Sequence, residues 1–246
     1  MSVYVTGDTH GDWMSRLNTN SFPEQKEMTK NDYVLILGDM GIWDNSKREK
    51  YNIDWLEKKP FTTLFISGNH DNYDILDSLP VSEWHGGKVN FIRPSVIHLM
   101  RGEIYNIEGK TFFAFGGASS HDIRDGILEK DDPRIKKWSH NYSKMFRINH
   151  VSWWEKELPD DEEMKNGIKN LEIYNNQVDY ILTHSPSASV IALLGRGLYK
   201  QDKLTKYLEH IRAGTDYGRM FSGHMHVNKQ INEKDILLYE KIVRIL

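Results

Sequence analysis

Five apolar runs in this chain stop abruptly at polar residues of one chemical kind, and that recurrence limits the folds open to it. Residues 63–67 lead into Gly68-Asn69-His70-Asp71, residues 3–6 into Gly7-Asp8-Thr9-His10, and residues 33–37 into Gly38-Asp39. Residues 180–183 end at His184, and residues 220–222 run into Gly223-His224-Met225-His226. A short continuous apolar run bounded by a turn signal reads as a buried strand. Runs without alternation, such as 33–37, fit strands covered on both faces, as in parallel sheets. In open α/β sheets the residues just beyond the strand ends carry the chemistry. Here every such end presents Asp, Asn or His.

The intervening segments fit that scheme. A short helix is expected over about 13–18, a loop with a helical piece over 20–31, and a charged helix over about 46–59 stopped by Pro60. Strand and helix alternating in this way give right-handed crossover units. From 88 to 115 four short β-type runs, 89–92, 96–99, 104–107 and 111–115, read as an antiparallel meander. Residues 119–154 are polar, aromatic and aperiodic, and a stretch of that length inside a compact fold is expected to shape a site. Helices follow at 160–174 and 202–211, and 236–240 with 242–245 read as a final hairpin. Gly195-Arg196-Gly197 reads as a turn. With 246 residues and no low-complexity linker, one domain over 1–246 is expected.

Composition narrows the chemistry. The chain has no cysteine, so disulfides, thiolate nucleophiles and sulfur-held metals are excluded together. Any metal is held by N and O ligands. With 32 basic and 35 acidic residues the net charge is -3, which announces no basic face for long nucleic acid. No apolar stretch reaches membrane-span length and no leader pattern opens the chain, so a cytoplasmic protein without a membrane partner is expected.

Asp8 and His10 are two apart, so on extended backbone they face the same way and can grip one ion. Asp39 supplies a carboxylate able to bridge two ions, Asn69 a neutral amide oxygen, and His184, His224 and His226 imidazoles. Seven ligands with one shared suit two divalent cations of the Mn²⁺, Fe²⁺ or Zn²⁺ type, with Mn²⁺ the first expectation, rather than calcium.

Taken in order, Gly-Asp-Thr-His, Gly-Asp, Gly-Asn-His-Asp, His184 and Gly-His-Met-His resemble the motifs of the calcineurin-like metallophosphoesterase superfamily, over residues 7–226. The resemblance implies a mixed-sheet α/β fold, a four-layer α/β/β/α sandwich with metals at the strand ends. It implies that Asp8, His10, Asp39 and His226 hold one ion, and Asp39, Asn69, His184 and His224 the other. A bridging hydroxide would then hydrolyse a phosphate mono- or diester, with His70 as general acid.

The protein Ser/Thr phosphatase branch carries Asp-Arg-Gly after the second Gly-Asp. This chain has Met40-Gly41-Ile42-Trp43-Asp44 there, without arginine, and Asp44 is the expected orienting carboxylate for His70. The sequence therefore resembles small bacterial or phage phosphoesterases more than protein phosphatases. A small phosphate ester is the first expected substrate. A nuclease or RNA-end-processing enzyme, a Ser/Thr-type protein phosphatase and a metal-bearing scaffold stay open. Asp71 reads as an N-cap for the helix begun at Asn72. Histidines 85, 98, 140, 150 and 210 read as core or surface residues, whereas His121 and Arg124, just after a strand end, are candidate substrate contacts.

Overall fold

The computed structural model describes residues 1–195 and 200–246. In chain order the elements are β1 (Val3–Thr6), α1 (Trp13–Arg16), β2 (Tyr33–Ile36), α2 (Lys47–Glu57), β3 (Thr62–Phe65), α3 (Tyr73–Ser78), β4 (Val81–Trp84), β5 (Gly87–Arg93), β6 (Val96–Leu99), β7 (Glu103–Ile107) and β8 (Lys110–Phe115). There follow β9 (Gly126–Leu128), α4 (Arg134–Trp138), β10 (Phe146–Ile148), α5 (Asp161–Ile173), β11 (Gln177–Thr183), α6 (Ala188–Gly195), α7 (Lys203–Gly214), β12 (Asp216–Ser222), β13 (Lys229–Gln230), β14 (Asp235–Leu237) and β15 (Val243–Arg244). A 3₁₀ turn at Pro23–Glu27 is the helical piece expected between β1 and β2.

Two mixed sheets form the centre. The first has the order β15-β1-β2-β3-β6-β5-β4, with β1, β2, β3 and β6 parallel. The second has the order β13-β14-β12-β11-β8-β7, with β14, β12, β11 and β8 parallel. In each, antiparallel strands flank the parallel centre. The alternation hidden in the apolar runs now has a meaning. Val3, Val5, Leu35, Leu37, Leu182 and Phe221 pack between the sheets. Their neighbours Tyr4, Val34 and Ile36 turn outward onto Trp13, Leu17, Ile53 and Leu56, while Ile181 and Met220 turn onto Leu171, Leu204 and Leu208. Helices therefore cover both outer faces, and the fold is the α/β/β/α sandwich expected. Each fully buried Leu, Val or Phe contributes roughly 1.5–3 kcal/mol, and both faces of every central strand collect it.

The helices start where their side chains permit. Ser46 accepts the N–H of Glu49, and the reciprocal pairs Asp160/Glu163 and Asp202/Thr205 close capping boxes at α5 and α7. Within each sheet the parallel strands finish level: Thr6 pairs with Ile36, and Ile36 with Phe65. In the second sheet Thr183 pairs with both Ser222 and Phe115. All the polar strand-end motifs therefore emerge along one rim.

Three expectations require correction. The four runs of 88–115 form not one meander but two hairpins, β5–β6 in the first sheet and β7–β8 in the second. The chain changes sheets between Leu99 and Glu103, so Val89, Ile97 and Leu99 face Tyr105, Ile107 and Phe112 across the inter-sheet core. The C-terminal runs form no hairpin: β14 joins the second sheet, and β15 crosses to pair antiparallel with β1. Asp71 does not cap α3, since Asn72 accepts the N–H of Ile75 in that role. The turn at 195–197 lies, from Arg196 on, outside the described residues.

Arg101, its side chain 4% exposed, holds the change of sheets in place. Its guanidinium donates to the carbonyls of Gly116, Lys156 and Glu157, to the Tyr73 hydroxyl and to Glu163. Arg101→Met leaves those buried carbonyls without donors, and a loss on the order of 3 kcal/mol is expected. Urea unfolding with an unchanged m-value and a lowered midpoint is the check. A midpoint within error of the parent would refute this role.

Candidate metal centre

The rim gathers the seven expected ligands. Asp8 and His10 follow β1, Asp39 follows β2 and Asn69 follows β3; His184 follows β11, and His224 and His226 follow β12. Donor atoms of Asp8, His10 and His226 lie within 4.8 Å of one another, as do those of Asp8, Asp39 and His184. His10 and His226 oppose their Nε2 atoms at 3.0 Å, Asn69 Oδ1 is 3.3 Å from His184 Nε2, and the His224 ring is 5.0 Å from that of His184. Asp8 is common to both groups. Asp39, which the resemblance makes the bridge, stands between His10 and His184 at 3.9 and 3.5 Å.

Local backbone follows the donors. His10, Asp39, His224 and His226 all hold positive φ, between 46° and 63°, a conformation costly for non-glycine residues and concentrated at functional sites. Gly68 is required by close approach, because a Cβ there would collide with the Asp39 carboxylate.

Electrostatics explains how two acids remain charged in the interior. Burial opposes ionisation of Asp8, but His184, His226 and the backbone N–H of His224 hold its carboxyl below the usual range. Asp39 is likewise lowered, by His184, His70 and His10, against the same burial. In return, burial resists charge on His184, yet Asp39 and Asp8 outweigh it and raise the imidazole to about 9. His224, buried and beside that charge, falls to about 3, and burial lowers His10. The donor set is thus N and O only and partly anionic, a set that fits divalent cations.

Beside the cluster lies an open cavity of about 280 Å³, lined by Asp39, Asn69, His70, His121, Asp122 and the 224–226 segment. His70 donates its backbone N–H to Asp39 Oδ1 at 2.8 Å and sets Nε2 4.0 Å from Asp39 Oδ2. Burial lowers its pKa, Asp39 opposes this, and Arg147 adds to it. His121 reaches the rim, with Nε2 2.9 Å from His224 Nε2. Residues 119–154 thus help wall the cavity.

Two sequence assignments change. Arg124 does not line the cavity; it is 69% exposed, near Asp125 and the Ser143 carbonyl. Arg147 takes the place near the site, 3.4 Å from His70 Nε2 and paired with Asp122. Asp44 is not beside His70 either: it accepts the N–H of Ser46, and Asp39 is the carboxylate near the ring. Asp71 is structural in another way, accepting from the backbone of Gly68, Met40, Gly41 and Ile42, with burial and the Asp39 charge raising its carboxyl to about 6.

Ser120 and Glu157 escaped the sequence reading. Asn69 Nδ2 donates to the Ser120 hydroxyl at 3.3 Å, and that hydroxyl donates to Glu157 at 2.6 Å. This chain orients the amide so that its oxygen faces His184. Burial raises the Glu157 carboxyl to about 7, against the Ser120 donors. An apolar run ending in Gly116-Gly117-Ala118-Ser119-Ser120 was the available signal, but nothing local indicated the partner at 157.

A double sheet with N/O donors along one rim is the arrangement of a metallophosphoesterase. Residues 1–228 match the family described as calcineurin-like phosphoesterase, and the chain belongs to it. It is 24% identical over 222 residues to lariat debranching enzyme A of Xenopus laevis, covering 78% of this chain and 40% of that protein. Against the lariat debranching enzyme of Danio rerio it is 28% identical over 145 residues, 52% of this chain and 24% of the other. The chain spans no more than about two fifths of the length of these relatives. Phosphopantetheinyl hydrolase of Mycobacterium tuberculosis aligns with a TM-score of 0.42 at 11% identity, over 97% of this chain and 88% of that one.

Because cation binding must displace the proton that Asp8 and Asp39 keep on His184, affinity for Mn²⁺ is expected to rise with pH from 6 toward about 9. Each bound cation would release protons on the way. Calorimetry in buffers of different ionisation enthalpy measures both, and an affinity flat over that range would contradict the expectation. Ser120→Ala, which frees the Asn69 amide, is expected to weaken binding about tenfold or more, as losing an outer partner of a metal ligand does.

Proposed function

We propose that this chain is a metal-dependent phosphodiesterase in which residues 1–246 act as one unit. The observation that carries the reading is the gathering of seven N/O donors on one rim beside an open cavity that Asp39, Asn69, His70, His224 and His226 line, with Arg147 3.4 Å from His70 Nε2. Family membership sets phosphoester hydrolysis as the chemistry. Relatives named as lariat debranching enzymes favour a diester, RNA included, over a monoester.

Asp8, His10, Asp39 and His226 are the proposed holders of one divalent cation, and Asp39, Asn69, His184 and His224 of the other. Such a pair supplies a hydroxide at neutral pH and neutralises charge on a phosphate. The chain's own residues do the rest. Arg147, held by Asp122, presents a guanidinium toward the same cavity as His70, a suitable grip for a phosphate oxygen. His121, from the neighbouring strand-end segment, lines the same cavity beside His224. His70 is neutral in the free protein at pH 7, since burial lowers its pKa. A phosphate seated against the ring adds negative charge, raises that pKa and lets Nε2 carry the proton to the departing oxygen.

The test is hydrolysis of a 4-nitrophenyl diester, an alkyl diester and a 4-nitrophenyl monoester with Mn²⁺ and after chelation, with Asp39→Asn as the blank. Diester turnover lost with chelation and in the blank is expected. Monoester turnover alone would overturn the diester assignment, and no turnover with metal bound would favour a scaffold. His70→Ala is expected to slow the alkyl diester roughly 100-fold or more, but the nitrophenyl diester far less, because nitrophenolate departs without a proton. Equal losses on both would assign His70 to phosphate binding instead.

A further inference from the structure

Next to the metal centre, beyond His10, lies a second cavity of about 360 Å³ that the proposed hydrolysis does not use. The His10 ring separates the two: it is 5.4 Å from His70 and 5.1 Å from His226, which both line the first. The wall of the second is formed by residues 10–13, the loop between Asp39 and α2 and the first turns of α2, and its prominent feature is Trp43, a residue left 43% exposed.

That loop is held at both ends by buried carboxylates. Asp71 accepts the N–H groups of Met40, Gly41 and Ile42. Glu49 accepts those of Trp43, Asp44 and Asn45 at 2.7, 2.9 and 3.2 Å. Asn72 donates to the Trp43 carbonyl. The indole rests over Gly11, at φ 77°, where a Cβ would come within 3.0 Å of the ring. Trp43 is therefore mounted rigidly one residue from the ligand His10, with part of its ring system open to the cavity.

We propose that this cavity is a stacking subsite for a heterocyclic base of the substrate, with Trp43 as the platform, so that the phosphodiester cut at the metal centre is a nucleotide one. The proposal rests on the phosphodiesterase reading and extends it to a substrate class. An exposed, pre-ordered aromatic face beside a phosphate site suits a base, whose stacking needs no sequence-specific hydrogen bonds. The charge around it selects against a second phosphate: Asp12, Asp44 and Glu49 line the cavity against a single arginine, Arg48. Asp12 and Asp44 at that edge are placed to accept from the amino groups of a base, and the three carboxylates together repel a phosphate.

The test separates the subsite from the hydrolysis. With Mn²⁺ bound, calorimetry compares adenosine 5′-monophosphate with ribose 5-phosphate, which lacks the base. The nucleotide is expected to bind about tenfold or more tightly, with the difference abolished in Trp43→Ala, largely kept in Trp43→Phe, and ribose 5-phosphate binding equal in all three proteins. Equal affinities for the two ligands in the parent protein, or an advantage that survives Trp43→Ala, would overturn the subsite. Turnover of thymidine 5′-(4-nitrophenyl) phosphate against methyl 4-nitrophenyl phosphate gives the second readout. A preference for the thymidine ester that Trp43→Ala removes, chiefly through KM, supports the subsite. Base-dependent binding with no turnover of any diester would keep the subsite and overturn the hydrolytic reading instead.

Discussion

Two carboxylates held ionised in the interior are the constraint from which the rest of this structure follows. Asp8 and Asp39 are buried almost completely, and an unpaired charge in such a place costs several kcal/mol. The fold answers with the His184 imidazolium between them, with backbone N–H groups of His70 and His224 aimed at the oxygens, and with His226 on Asp8. These demands explain the left-handed backbone at four donor residues. They also explain why the donors outnumber what two ion pairs need: the arrangement is prepared for positive charge beyond its own.

Neither sheet can build that arrangement alone. The first contributes Asp8, His10, Asp39, Asn69 and His70; the second contributes His184, His224 and His226. They meet because the inter-sheet core of Val3, Val5, Leu35, Leu37, Leu182 and Phe221 closes with the strand ends level. Packing energy is thus spent on the register of the rim. The segment following β8 then supplies what the sheets lack, Ser120 behind Asn69 and Asp122 with Arg147 in front of His70. The other side chains around the centre come from there and from the 40–45 loop.

The difference between Arg124 and Arg147 shows where reading a sequence stops. Both lie in one aperiodic segment, and Arg124 was the natural choice because it follows a strand end closely. The short parallel pair of β9 and β10 instead brings Arg147 back over the site, a pairing of two three-residue strands with no periodic trace. Asp44 and Asp71 fail in the same manner. Each carboxylate is placed by backbone N–H groups that need an acceptor, at Ser46 for Asp44 and at Gly68 and the distant 40–42 loop for Asp71.

Read alone, the chain announces its strands, the rim of donors beyond them and the N/O character of any metal site, because buried strands and ligand residues are local facts of residue type and spacing. The covering of both sheet faces is legible too, since unbroken apolar runs leave no face for water. The assignment of each hairpin to a sheet, the crossing of β15 to β1, the Glu157–Ser120–Asn69 chain and the mounting of Trp43 between Asp71 and Glu49 were decided in three dimensions. Apart from the Glu49 bonds to residues 43–45, they rest on hydrogen bonds and packing between residues tens to hundreds of positions apart, and such contacts have no signature in the local pattern of the chain.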